Sequence, residues 1–122
     1  MKKIIVLLLA CALLSGCAGS PVRTGWQADT NNRGMLKLKP DMTVEEVTAT
    51  MGKPDKTEMY KGKNNETILV YLYISAASDT YAHFSDANYT PIVFVNGKLS
   101  GWGWSALNGS AQKYEFTVKN LY

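Results

Sequence analysis

The chain has 122 residues, of which 13 are Lys or Arg and 10 are Asp or Glu, so its formal net charge is +3. Two of the basic residues, Lys2 and Lys3, lie at the very start, and the rest of the chain is nearly neutral. This charge balance gives no electrostatic argument for nucleic-acid binding, which requires a clustered basic patch.

Residues 1–16 have the features of a secretory signal peptide. The basic start is followed by an unbroken apolar run from Ile4 to Leu14, which is too short to span a bilayer because spanning takes about 20 residues. Small residues follow the run, as they do before a cleavage site. We therefore predict that residues 1–16 are removed from the mature protein.

The stretch Leu14-Ser15-Gly16-Cys17 ends this segment and resembles the lipobox of bacterial lipoproteins, in which the cysteine is acylated and becomes the first mature residue. The resemblance implies that Cys17 anchors the chain to a membrane. The other cysteine, Cys11, leaves with the signal peptide, so no disulfide can form even where an oxidising compartment would permit one. An ordinary signal peptide followed by an incidental cysteine is the alternative.

The mature chain begins with a polar segment. Residues 17–31 are rich in small and polar side chains, and we expect a flexible lipidated tether there. Residues 32–122 then form a single domain, because about 90 residues can build one hydrophobic core but not two. A short turn or helix between Asn32 and Leu38 is a further expectation.

The clearest helix signal lies at residues 43–51. Thr43 and Glu46 have the spacing of a capping box, in which each side chain bonds the other residue's backbone N–H. Gly52 and Pro54 follow, and both residue types end helices. Apolar residues recur at helical spacing along the segment, namely Val44, Val47 and Met51.

After Pro54 the apolar residues alternate with a period of two, which is typical of strands. We predict strands at residues 57–60 and 66–75 and an edge strand at 113–118. The segment at 62–65 is predicted to be a hairpin turn. Asn96-Gly97 lies between two runs rich in β-formers and predicts a second hairpin with a type I′ turn.

Two tryptophans follow the second turn. Trp102 and Trp104 are two apart on a predicted strand, so their side chains should leave the same face, while Gly101 and Gly103 leave the other face open to close packing. The indoles either cover the sheet within the core or form a partly exposed platform for a partner, since Trp is enriched in binding hot spots. We expect Trp102 in the core and leave Trp104 open.

The run LKLKPDMTVEEVTATMGKP, residues 36–54, resembles the opening helical motif of small outer-membrane lipoproteins of the SmpA/OmlA (BamE-like) family. The positions that fall on the motif are Met42, Thr43, Glu46, Val47, Met51, Gly52 and Pro54. Asp41 departs from it, because the family usually has glycine there. The resemblance implies an α+β fold with two short N-terminal helices packed on a three- to four-stranded antiparallel sheet. It also implies a binding role in outer-membrane protein assembly or envelope maintenance.

The single histidine, His83, lies among Ser and Asp residues in the polar segment 76–89. Catalytic triads are assembled from separated parts of a fold, and a zinc site needs three or four well-placed ligands. We therefore expect no catalytic residue, no metal and no cofactor. An envelope hydrolase that uses His83 remains a third alternative.

These features together predict a non-enzymatic lipoprotein on the periplasmic face of the outer membrane. The residue after the cysteine is Ala18, whereas an aspartate at that position tends to retain such lipoproteins in the inner membrane. Its partners would be the membrane, through Cys17, and an envelope protein, with no nucleic acid and no small-molecule substrate. The candidate partner-binding residues are Tyr81, Phe84, Tyr89 and Trp104. The alternative is an inhibitor of a hydrolase such as a lysozyme or β-lactamase, in which residues 76–89 protrude as a rigid loop.

Overall fold

The computed structural model describes residues 21–77 and 85–119. Its helices are α1 (Pro21–Met35), α2 (Val44–Met51) and α3 (Trp104–Tyr114), and its strands are β1 (Lys56–Lys61), β2 (Thr67–Ile74), β3 (Tyr89–Val95) and β4 (Lys98–Trp102). The strands form one antiparallel sheet in the order β1-β2-β3-β4. The fold is therefore of the α+β class. Within the described ranges, no helix is long and apolar enough to cross a membrane.

Both hairpins form where the sequence predicts them. Asn96 and Gly97, between β3 and β4, have φ angles of 49° and 82°, and a type I′ turn requires positive φ at both central residues. Between β1 and β2, the Gly62 N–H donates to the Glu66 carbonyl at 3.0 Å and closes the other turn. The strands predicted before and after that turn are observed as β1 and β2.

The sheet has a hydrophobic core on each face. The first core, on the face toward α3, contains Ala28, Tyr60, Ile68, Val70, Leu72, Ile74, Tyr89, Val93 and Leu107. The second core, on the face toward α2, contains Met35, Leu38, Val47, Met51, Tyr73, Ile92, Phe94 and Leu99. Successive residues of a strand point to opposite faces, and β2 contributes to both cores in this way.

Helix α2 begins and ends as its sequence predicts. The Glu46 N–H donates to Thr43 Oγ1 at 3.2 Å, and the Thr43 N–H donates to Glu46 Oε2 at 3.3 Å, so both bonds of the capping box are present. At the other end, the Gly52 N–H donates to the Thr48 carbonyl at 2.8 Å. Gly52 has a φ of 80°, a conformation that favours glycine.

The expected tether at residues 17–31 is wrong from Pro21 onward, because α1 starts there. Ala28 and Asn31 are buried, and Gln27 Nε2 donates to Asp55 Oδ1 at 2.7 Å. The helix was not predicted because Met35 is the one large apolar side chain among its described buried residues, and Ala28 and Asn31 are small or polar. Folded structure therefore begins before residue 32, while the predicted signal peptide and Cys17 lie outside the described residues.

The edge strand predicted at residues 113–118 is also wrong. Helix α3 ends at Tyr114, and the next residue, Glu115, has a φ of 54°. Residues 115–119 then pair with no described strand, and the Phe116 ring stacks on Tyr60 at 4.9 Å between centroids. The alternating apolar residues Tyr114, Phe116 and Val118 all pack against the first core. The alternation of apolar residues is therefore explained by their packing on the core and not by pairing in a strand.

Candidate functional site

The residues predicted to bind a partner do not form one surface among the described residues. Tyr89 is only 6% exposed and belongs to the first core. Trp104 is half-buried at the start of α3, and its indole Nε1 donates to the Tyr89 carbonyl at 3.0 Å. These two residues make an internal contact, so Tyr89 is corrected to a core residue. Tyr81, His83 and Phe84 lie outside the described residues, as does half of the loop that the inhibitor alternative requires, residues 78–84 of 76–89.

The expectation that Trp102 lies in the core is wrong, and β4 contains a bulge that changes the face on which Trp102 emerges. Phe94 pairs with Leu99, but the preceding residue, Val93, pairs with Gly101, so Ser100 is extra. One extra residue turns the following side chains to the opposite face. Trp102 therefore lies on the second-core face with 38% of its surface exposed, and it is not a buried core residue.

The glycines beside the tryptophans serve two different purposes. A Cβ at Gly101 would lie 3.2 Å from the Ala106 Cβ, so the predicted close approach is present here and involves α3. Gly103 has a φ of 95°, which suits glycine and ends β4. Trp104 then begins a helix, and for this reason it does not share a strand with Trp102.

Strand β1 is the open edge of the sheet. It pairs with β2 on one side, and no described strand pairs with its other side. The opposite edge, β4, is partly covered, because Leu99 exchanges backbone hydrogen bonds of 2.8 and 2.9 Å with Met42 and Asp41. Edge strands are potential templates for another chain, and proteins usually cover or shorten them.

The ladder pattern shows which backbone groups of β1 point outward. The Gly62 N–H donates to the Glu66 carbonyl, so these two residues are a hydrogen-bonded pair. In the same register, Tyr60, two residues earlier in the chain, pairs with Ile68. Bonded and non-bonded pairs alternate in an antiparallel ladder, so the pairs of Thr57 and Met59 are non-bonded. Their N–H and C=O groups therefore point away from β2. On the far side of β2, the bond from the Asn96 N–H to the Thr67 carbonyl fits the same alternation.

On the face of the second core, the side chains beside this open edge are mostly apolar. Met59 is 62% exposed and pairs with half-buried Leu69, while Thr57 pairs with half-buried Tyr71. The Tyr71 ring is held edge-on against Phe94, with 5.2 Å between centroids. We call these four residues, Thr57, Met59, Leu69 and Tyr71, together with the outward backbone of β1, the β1 surface.

The β1 surface could not be found by periodicity alone, because its exposure depends on the order of the strands. A weak signal is present in KTEMYK, residues 56–61, where a short strand has lysine at both ends. Lysine at strand ends is one device by which edge strands avoid unwanted pairing.

Two tyrosines have raised pKa values, and each has a hydrogen bond within the fold. Burial raises the pKa of Tyr73 to about 12, with smaller contributions from Tyr71 and Asp55, and the Tyr73 hydroxyl donates to the Gly52 carbonyl at 2.8 Å. Burial also raises the pKa of Tyr60, whose oxygen accepts a bond from the Lys119 N–H. Across residues 21–77 and 85–119, no group of three or more His, Cys, Asp or Glu is placed to hold a metal ion.

Comparison with known proteins gives one result. A family model described as "Protein of unknown function (DUF3192)" matches residues 10–109. No curated protein and no solved structure matches the chain. The matched range includes Cys17 and every strand of the sheet.

Proposed function

The chain belongs to the DUF3192 family, whose function is unknown, and we propose that it is an outer-membrane lipoprotein that binds an envelope protein through its β1 surface. Cys17 carries the lipid anchor and holds the domain on the periplasmic face. The protein catalyses no reaction in this proposal. The observation that carries the binding role is the open edge of β1 with exposed Met59 beside it.

The anchoring part of the proposal is supported by the sequence around Cys17. A basic start, an apolar run, small residues and a cysteine occur in the order of a lipobox, and the family match includes that cysteine. The likeness to SmpA/OmlA lipoproteins is supported at Asp41. This residue has a φ of 67°, a conformation that favours the glycine usually found there in that family.

The binding part is supported by the combination of backbone and side chains on the β1 surface. An extended segment of a partner can add to an exposed sheet edge, where main-chain hydrogen bonds give affinity and neighbouring side chains give specificity. The outward N–H and C=O groups of Thr57 and Met59 can make the main-chain hydrogen bonds. Exposed Met59 and the partly exposed Leu69 and Tyr71 are the neighbouring side chains that give specificity, and methionine adapts to varied partner surfaces.

The test is site-specific photo-crosslinking of the full-length protein in cells. A photoreactive residue replaces Met59 in one strain and Gln112, an exposed residue of α3, in a control strain. We expect a discrete protein adduct from position 59 and none of the same mass from position 112. Equal adducts from both positions would contradict the proposal.

A second pair of variants separates strand addition from side-chain contact. Thr57→Pro removes an outward N–H, and proline is tolerated at edge positions whose N–H faces solvent. Thr57→Ala keeps that N–H and removes the side chain. Strand addition predicts that only the proline variant loses the position-59 adduct. Persistence of the adduct in both variants would show that the partner does not pair with the edge of β1.

A further inference from the structure

Helix α1 has an outward face with exposed apolar residues at each end. Trp26 is 73% exposed, and Leu36, just after the helix, is 87% exposed. Between them the exposed side chains of Asp29 and Arg33 form an ion pair at 3.0 Å. Nothing in the proposed contact with an envelope protein uses this face, because that contact lies on β1.

The helical geometry places these residues opposite the buried side of α1. Ala28, Asn31 and Met35 are buried against the sheet. With about 100° between successive residues, Trp26 and Arg33 lie nearly in line on the other side. Leu36 follows at the same outer side, roughly 15 Å from Trp26 along the axis at 1.5 Å per residue. Trp26 and Leu36 are therefore directed away from the sheet.

We propose that this outward face of α1 lies against the phospholipid surface and fixes the orientation of the domain on the membrane. The inference rests on the proposed function, because the lipid on Cys17 brings the helix to the bilayer. Trp26 is nine residues after Cys17, a separation that can span at most about 30 Å even in an extended chain. The face is thus held close to the membrane whatever the path of the intervening residues.

The chemistry of the face suits a lipid surface. Tryptophan is enriched at membrane–water interfaces, where its ring lies at the level of the headgroups. Residues 26–39 contain three basic residues, Arg33, Lys37 and Lys39, against one acidic residue, Asp29. This net charge of +2 favours anionic headgroups. The acyl chains on Cys17 hold the protein on the membrane, and this face adds a second contact that fixes its orientation there.

The experiment uses the full-length lipidated protein in vesicles of phosphatidylethanolamine and phosphatidylglycerol. A fluorophore is attached at Thr30→Cys, an exposed position on α1, or at Asn64→Cys, in the turn between β1 and β2 at the far end of the sheet. The sulfur of Cys17 carries lipid and does not react with the label. The lipids carry a quencher near the headgroup boundary.

We expect quenching at Thr30 to exceed quenching at Asn64 at least about threefold, because the apolar face of an interfacial helix lies about 5–10 Å into that boundary. Replacing both Trp26 and Leu36 by alanine should lower quenching at Thr30 to the Asn64 level, while the protein still floats with the vesicles. The control is the double variant Thr57→Ala, Met59→Ala on the β1 surface, which should leave quenching of the label at position 30 unchanged.

The outcomes separate this inference from the proposed function. Protein that floats with the vesicles but shows equal quenching at Thr30 and Asn64 would overturn the inference alone. Failure to float, with no lipid on Cys17, would overturn the anchor and the inference together. If the alanine variants at Trp26 and Leu36 reduced capture of an envelope protein but not quenching, the face would bind protein rather than lipid, and the inference would be wrong.

Discussion

The side-chain amide of Asn31 donates a hydrogen bond of 2.8 Å to the carbonyl oxygen of Ile74. Asn31 is buried, so this bond joins the middle of α1 to the end of β2 inside the domain. The next residue, Asn32, makes a bond of the same length to the Ser75 carbonyl, but on the exposed side. The two side-chain amides allow a matched comparison of a buried hydrogen bond with an exposed one.

Asn31→Ala should destabilise the domain by about 1–3 kcal/mol, because it leaves a buried carbonyl without its partner. Asn32→Ala should cost no more than about 1 kcal/mol, since water can replace the exposed bond. Urea unfolding of both variants beside the wild type measures the difference. Equal midpoints for the two variants would show that α1 is not held to the sheet through Asn31.

The capping box of α2 gives the second prediction. Thr43→Ala removes the oxygen that accepts from the Glu46 N–H, and loss of such a cap typically costs about 1 kcal/mol. Thr43→Ser keeps the oxygen and serves as the control. The free energy of unfolding should fall for the alanine variant and stay close to wild type for the serine variant. An unchanged midpoint in the alanine variant would contradict the cap.

The third prediction compares the two tryptophans. Trp104→Phe keeps an aromatic ring but removes the donor to the Tyr89 carbonyl, which should cost about 1–3 kcal/mol at this partly buried site. Trp102→Phe removes no described hydrogen bond and should change stability by less than about 0.5 kcal/mol, as surface substitutions do. The same unfolding measurement applies. A larger loss for Trp102 would mean that its indole is in the core after all.

Tyr73 gives a prediction about alkaline pH. Burial raises its pKa to about 12 from a usual value of 10.0, so the unfolded chain ionises this phenol first. The stabilisation is complete below pH 10 and is lost as the pH rises to about 12, amounting to no more than about 2–3 kcal/mol. Stability of the wild type should therefore decline more steeply over this interval than that of Tyr73→Phe. Parallel curves for the two proteins would argue against a raised pKa.

The anchor itself is tested by Cys17→Ala. A lipoprotein cysteine receives several acyl chains, whereas a single chain gives only marginal attachment. The alanine variant should accumulate as uncleaved precursor or as soluble protein, detected by fractionation of the envelope and by mass spectrometry of the N-terminus. Recovery of a normally processed variant in the outer membrane would exclude the lipobox interpretation. Cys11→Ala is the control, because the lipobox interpretation predicts that this residue is removed with the signal peptide.

The parts of the fold that were predicted correctly depend on local rules. The reciprocal bonds of Thr43 and Glu46 and the positive φ angles of Asn96 and Gly97 involve residues within one turn of each other. The missed parts depend on distant contacts. Helix α1 is tied to the sheet through polar Asn31, whose partner is 43 residues away, and an apolar pattern gives no sign of such a bond.

The candidate site was less predictable for the same reason. Whether Met59 is exposed depends on β1 being the outermost strand, which is a property of the whole sheet. The side on which Trp102 emerges depends on an extra residue at Ser100, and alternation along the strand assumes that no such residue exists. Both features follow from strand pairing, which no short stretch of sequence determines.

The simple strand order has a consequence for the speed of folding. Every strand of the described sheet pairs with the strand next to it in the chain, so each hairpin brings together residues that are already near in sequence. Chains with such local pairing close small loops and tend to fold faster than chains with long-range pairing. The slowest pairing should be that of β2 with β3, because Ile74 and Tyr89 are separated by the longest connection between strands. A shorter connection there should raise the folding rate while leaving the unfolding rate nearly unchanged.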